Sequence, residues 1–237
     1  MDRQQRRDLK HDKFVDEIGS LSTRARENQR LLYMIAGAVV LIAVLVYGIY
    51  FYRANREEKA QQDLSAAIDT IESPLKPAAG AEPVPNAKFK TEAERTAAAE
   101  KQFRAVTADY SGSDASDVAN LYLARIQAGR GDVAGARALL QQFINANPKH
   151  LLVNGARYSL YQIRIDSGEA PQVAQELQAE ISKTDPSLPA DSLLSLLAHD
   201  FEVQGNSEKT KETYRRIVTE FPDSPYALEA QRRIGPA

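Results

Sequence analysis

LARIQAGRGDVAGARALLQQFINANP, residues 123–148, reads as two helices joined by a glycine turn. Leu123 and Ala124 set a large side chain beside a small one, which lets a neighbouring helix pack closely. Gly131 ends the first helix, because the residue past a helix terminus often needs φ > 0. Ala136, Leu140 and Phe143 then recur at three- and four-residue spacing, the apolar stripe of a second helix. Pro148 closes that helix, having no N–H to offer the ladder.

The same punctuation recurs on either side. Leu160-Tyr161 precedes Gly168-Glu169, and Leu197-Ala198 precedes Gly205-Asn206; each Leu-to-Gly gap is 8, and the glycines step by 37. Tyr110-Ser111, Asn147-Pro148, Asp185-Pro186 and Phe221-Pro222 mark the segment ends, with steps of 37, 38 and 36. Two independent rulers with one period identify an internal repeat. Upstream, Ala99, Phe103, Val106 and Tyr110 read as the second helix of an earlier unit whose partner is 53–72. Between them, residues 73–86 (SPLKPAAGAEPVPN) carry four prolines and form a loop. One hairpin cannot bury its apolar face alone, so successive hairpins stack. No stretch shows the two-residue alternation of a strand.

A different signal precedes the repeats. Residues 31–52, LLYMIAGAVVLIAVLVYGIYFY, form an uncharged run of 22. As a helix it would reach ~33 Å, enough for a hydrocarbon core of ~30 Å. Its twelve Leu, Ile, Val and Phe residues favour insertion by about 4 to 7 kcal/mol, with no charge in opposition. Tyr33 at one end and Tyr47, Tyr50 and Tyr52 at the other suit the two interfaces. Thirty residues precede the run and Tyr-Phe-Tyr-Arg follows it, a poor fit to a cleaved signal peptide. Arg3, Arg6, Arg7, Lys10, Lys13, Arg24, Arg26 and Arg30 precede the span, against Arg53, Arg56 and Lys59 just after it. This bias predicts a cytoplasmic N-terminus and a large C-terminal part across the membrane. Phe14, Ile18 and Leu21 give the basic stub the spacing of one amphipathic helix. The expected organisation is a cytoplasmic stub at 1–30, a transmembrane helix at 31–52, a helical stalk and Pro-rich loop at 53–90, and a repeat domain at 91–237. The expected fold is all-α: the transmembrane helix followed by an α-solenoid of about three to four helical hairpins.

Composition narrows the chemistry. The chain has no cysteine, which removes disulfides, thiolate nucleophiles and Cys-ligated metals. A net charge of −2 with no long basic run argues against nucleic acid as a partner. His11, His150 and His199 are scattered, so no metal is expected. Gly129-Arg-Gly131-Asp-Val-Ala-Gly135 echoes a nucleotide loop, but it follows a helix rather than a strand and reads as an inter-helix turn. No cofactor is expected, and no pair of carboxylates stands out for acid–base work. An enzyme, such as a hydrolase with a carboxylate site, would need a deep pocket with perturbed carboxylates.

These residues resemble the tetratricopeptide repeat (TPR). Leu123, Ala124, Gly131, Ala136, Leu140 and Pro148 fall at that family's spacing, as do Leu197, Ala198, Phe201, Gly205, Tyr214, Ile217 and Pro222. The middle unit departs, with Tyr161 and Val173 where small residues are usual, and the period is nearer 37 than 34. The order of stub, span and repeats is also similar to the ancillary subunit of the bacterial Sec translocon. That family holds a periplasmic repeat domain beside the secretion channel and works with membrane-anchored chaperones.

The resemblances imply a function and a surface. The function is a protein–protein interaction scaffold or chaperone-like accessory of the cell envelope, anchored in the inner membrane through the lipid-facing 31–52. Its partners would be the translocon, membrane-anchored chaperones or translocating polypeptides; an envelope-assembly or cell-division coordinator is the alternative. The first helices of TPR hairpins line a concave side. By register with the family, Leu121, Arg125 and Ala128 face it from the first complete unit. Tyr158, Gln162 and Ile165 follow from the second, and Ser195, His199 and Glu202 from the third. This set lacks the Lys and Asn arrangement with which some members hold a C-terminal carboxylate, which points to an extended or partly folded polypeptide.

Overall fold

The computed structural model describes residues 29–77, 80, 82 and 84–235. The amphipathic helix expected over Phe14, Ile18 and Leu21 lies outside them. The chain divides into two units, Met1–Arg56 and Glu57–Ala237. Helix α1, Gln29–Glu72, belongs to both. In the first unit its described side chains over 33–52 are all exposed, Val39, Leu41 and Phe51 among them. Among the described residues it is the one helix long and apolar enough to cross a membrane.

The second unit holds the remainder of α1 and eight more helices among the described residues. These are α2 (Glu92–Asp109), α3 (Asp114–Gly129), α4 (Val133–Ala146) and α5 (Val153–Arg164). A tight turn, Ile165–Glu169, leads to α6 (Ala170–Ile181). Then come α7 (Ala190–Val203), α8 (Ser207–Glu220) and α9 (Ala227–Ile234). They make four hairpins, α1/α2, α3/α4, α5/α6 and α7/α8, closed by α9. The all-α solenoid expected of the 37-residue period is the fold observed. Among the described residues the proline-rich segment after α1 carries one bridge, Leu75 to Phe89, with Lys76 N–H donating to the Phe89 carbonyl at 2.8 Å.

Glycine at the hairpin turn does what the spacing requires. Gly131, Gly168 and Gly205 have φ of 83°, 96° and 73°, in the left-handed region where a Cβ is strained. At the first turn the Gly131 and Asp132 N–H groups donate to the carbonyls of Ala128 (3.0 Å) and Gln127 (2.9 Å), closing α3. Asp132 then opens α4 by accepting the Gly135 N–H at 2.9 Å. Gly205 and Asn206 repeat the arrangement, with bonds to Glu202 (2.9 Å) and Phe201 (2.8 Å), and Asn206 accepts the Lys209 N–H at 3.1 Å. The middle hairpin differs, as Glu169 caps nothing with its side chain. It pairs instead with Arg137 and with Arg164 Nε at 2.9 Å, and Arg164 also holds Glu176 through two bonds of 2.7 Å. Arg164 beside it holds the Glu176 carboxyl below the ordinary range.

Exits from the second helices repeat as well. The Tyr110, Asn147 and Phe221 N–H groups donate to the carbonyls of Val106, Phe143 and Ile217. The carbonyls of Tyr110, Asn147 and Phe221 in turn accept from Ser113, His150 and Ser224, at 3.0, 3.1 and 3.0 Å. The α6 exit departs: that helix stops at Ile181, well short of Pro186, and Leu188 tucks into the core.

The core is a chain of local clusters. Ala60, Leu64 and Ala67 of α1 join Ala99, Phe103 and Val106 of α2 and Ala119 and Leu123 of α3. Ala136, Leu140 and Phe143 of α4 join Ala124 and Ala156 from the first helices on either side. Val173 and Leu177 of α6 join Leu193, Leu196 and Phe201 of α7. Tyr214 and Ile217 of α8 join Leu194, Ala198 and Ala230. Each cluster comprises one hairpin and the helix that follows it.

Among the described residues one ionisable side chain lies fully inside. Asp200 of α7 is fully buried, 37 residues after Ile163 and 74 after Ile126, both apolar. Its Oδ1 accepts from Gln204 Nε2, and its Oδ2 has no protein partner. Burial pushes its pKa up. The folded protein therefore holds this proton more tightly than the unfolded chain. Stability falls as pH rises from about 4 through the folded value, and the loss persists above it.

Two outcomes follow for denaturation of the full chain in detergent, chemical for the glycines and thermal for Asp200. Gly131→Ala and Gly205→Ala each lower stability by about 1–2 kcal/mol, whereas Gly129→Ala, inside α3 with open space at its Cβ, does not. Asp200→Asn flattens the fall in stability with pH and raises the neutral-pH midpoint by about 2–4 °C, the shift that ~1 kcal/mol gives a domain of this size.

Candidate functional site

The first helices of the hairpins stand side by side, and the space between them is open. α3 and α5 enclose a groove of about 630 Å³. Leu121, Arg125 and Ala128 line it from α3; Gly155, Ser159, Gln162 and Ile163 line it from α5, and Asp166 from the following turn. Leu140 and Leu152 complete its apolar walls. A second cavity, of about 770 Å³, lies between the α1/α2 junction and α3, lined by Ile71, Glu72, Glu92 and Arg95 on one side. Tyr122 and Arg125 border both spaces. Tyr122 is fixed by stacking on Phe103, with ring centroids 4.8 Å apart.

Charge is mostly neutralised locally. Arg104 and Arg130 hold the Glu100 carboxyl below the ordinary carboxylate range, Arg104 Nη2 lying 2.8 Å away. Arg95 donates to the Ser73 carbonyl at 2.9 Å and lies 3.8 Å from Glu92. Asp166 meets His199 Nε2 at 2.8 Å. Arg125 is exposed, and among the described residues no carboxylate pairs with it.

The residues expected to face a partner divide in two. Leu121, Arg125, Ala128 and Gln162 share the α3–α5 groove. The others are already engaged. Tyr158 is half-buried, its hydroxyl 3.3 Å from Ser195 Oγ and its ring stacked on Tyr226 at 6.0 Å and 10°. Burial pushes its hydroxyl pKa up. His199 is held by Asp166, and Glu202 accepts from Arg233 at 2.5 Å. Ile165 has no exposed surface and packs with Val173, Leu177 and Leu193, so it cannot touch a partner from this position. The groove face of α5 is instead Gly155, Ser159, Gln162 and Asp166, spaced as one helical stripe. Family register missed Ser159, Ile163 and Asp166; the stripe itself was the available signal. Among the described residues no three His, Cys, Asp or Glu side chains could hold a metal ion together.

Residues 29–192 match the family model for a tetratricopeptide repeat-like domain, and residues 197–224 match a tetratricopeptide repeat model. The chain belongs to the tetratricopeptide repeat-like family. Among solved structures it is similar to a Podosopora anserina protein described as a putative kinesin light chain with nearly identical TPR-like repeats. Identity there is 16%, over 75% of this chain and 84% of that one, with a TM-score of 0.49. A variant form of that protein gives the same identity and coverage with a TM-score of 0.48. No curated protein matches this chain. Tetratricopeptide repeats are protein–protein interaction scaffolds, and that is the class of protein defined here.

The Tyr158 contacts make a direct comparison. Tyr158→Phe, which keeps the ring and loses one hydrogen bond, costs about 0.5–1.5 kcal/mol of stability. Tyr158→Ala, which also loses the stack on Tyr226, costs about 2–4 kcal/mol. Urea denaturation followed by circular dichroism measures both.

Proposed function

We propose that this chain is a membrane-anchored scaffold of the bacterial cell envelope that holds polypeptides beside the Sec translocon. The observation that carries the anchored reading is the unbroken exposed apolar surface of α1 over 33–52. In water such a surface would be strongly unfavourable, whereas in a bilayer it matches the hydrocarbon core in length and polarity. The Lys and Arg excess before the span favours a cytoplasmic 1–30 and a repeat domain on the far side of the inner membrane. On this reading Glu57–Ala237 is the working domain, with the end of α1 packed into its first hairpin and the proline-rich segment a loop within it.

The α3–α5 groove, with Leu121, Arg125, Ala128 and Gln162, is the surface we assign to partners. Its apolar walls and scattered polar groups suit an extended or partly folded chain better than a small molecule. Translocon subunits, membrane-anchored chaperones and translocating polypeptides are the partners this placement favours.

Two measurements test the proposal. Protease added to spheroplasts should digest the repeat domain; protection of that domain would reverse the orientation. A photo-crosslinker at Arg125 should capture translocon subunits, their chaperones or secreted chains, while one at the exposed Arg215 of α8 should not. Equal capture at both positions, or capture of cell-division proteins alone, would count against the translocon assignment.

A further inference from the structure

Arg125 lies where the two cavities along the first helices meet. It borders the α1–α3 space on one side and the α3–α5 groove on the other. Its charge is uncompensated among the described residues, while the neighbouring Arg95 and Arg130 each have a carboxylate partner. Beyond Arg125, in the α1–α3 space, stand Glu72 and Glu92. In the α3–α5 groove the one lining carboxylate is Asp166, which His199 already holds. The walls there are apolar: Leu121, Ala128, Leu140, Leu152 and Ile163.

We infer that the groove reads an extended peptide carrying an internal acidic residue beside an aliphatic one. This deepens the groove reading above and rests on it. The acidic side chain meets the Arg125 guanidinium, a charge-assisted contact stronger than a neutral one. The aliphatic neighbour enters the α3–α5 groove. The acid is internal because open space continues on both sides of Arg125, so a bound chain passes over this residue rather than ending at it. The α1-side space is lined by Glu72, Glu92, Arg95 and Arg130, and both of those arginines already face carboxylates, so Arg125 is the cation left for the acid.

The test uses the full chain in lipid nanodiscs and rhodamine-labelled peptides, blocked at both ends, of sequence Ser-Gly-Ala-Leu-X-Ala-Val-Ser-Gly. X is Glu, Gln or Lys, and fluorescence anisotropy reports binding. At low salt the Glu peptide should bind about fivefold tighter than the Gln peptide, and the Lys peptide weakest. Added salt should narrow the gap. Arg125→Gln should erase the preference and Arg125→Glu should invert it towards Lys, with Arg215→Gln as an unaffected control. Binding of all three peptides without discrimination, or discrimination that survives Arg125→Gln, overturns the acidic-residue inference while leaving the groove. No binding by any peptide overturns the groove reading itself.

Discussion

A helical hairpin has two apolar faces and can cover only one by itself. In this chain the second face is covered by the first helix of the next hairpin, and at the end of the stack by α9. Val106 and Phe103 meet Ala119 and Leu123; Leu140 and Phe143 meet Ala156; Val173 and Leu177 meet Leu193 and Leu196. Small residues make the approach close, with Ala60, Ala67, Ala99, Ala119, Ala136 and Ala198 all fully buried. Every other feature depends on this seam. It sets the hairpins in order, it places the first helices side by side, and it requires α9 to close the last exposed face.

The seam also explains why the turns are so strictly punctuated. The second helix must return along the first at a fixed angle, and one left-handed glycine does this in the α3/α4, α5/α6 and α7/α8 hairpins. The following Asp132 or Asn206 continues the job by capping the next helix through its own side chain. Where Glu169 holds the cap position and its side chain caps nothing, ion pairs to Arg137 and Arg164 hold the turn instead. Two chemistries thus support one backbone shape.

The parts of the fold visible in the sequence are those that local backbone physics imposes. Gly131, Gly168 and Gly205 announce the period because glycine takes that φ without the strain a Cβ brings. Leu123, Leu140, Leu177 and Ile217 announce the faces because burial follows helical spacing. The groove is less visible, because its membership depends on distant contacts. Tyr158 is withdrawn from it by Tyr226 and Ser195, 68 and 37 residues away, and no local pattern links them. Ile165 opens the turn that ends α5 and is drawn wholly inside. Family spacing assumes that each first helix presents the same face, and α5, in the hairpin with Tyr161 and Val173, presents a neighbouring one. Asp200 is likewise invisible in advance: its spacing marks an apolar position, and only the folded chain shows a carboxylate there.

The core clusters, each confined to one hairpin and its successor, have a mechanical consequence. Tension applied along the stack has no long-range lattice to resist it and loads one seam at a time. The domain would then yield by separating neighbouring hairpins in sequence, at modest force, and re-close each seam from local contacts. It would behave as a spring, extending under load without losing its helices.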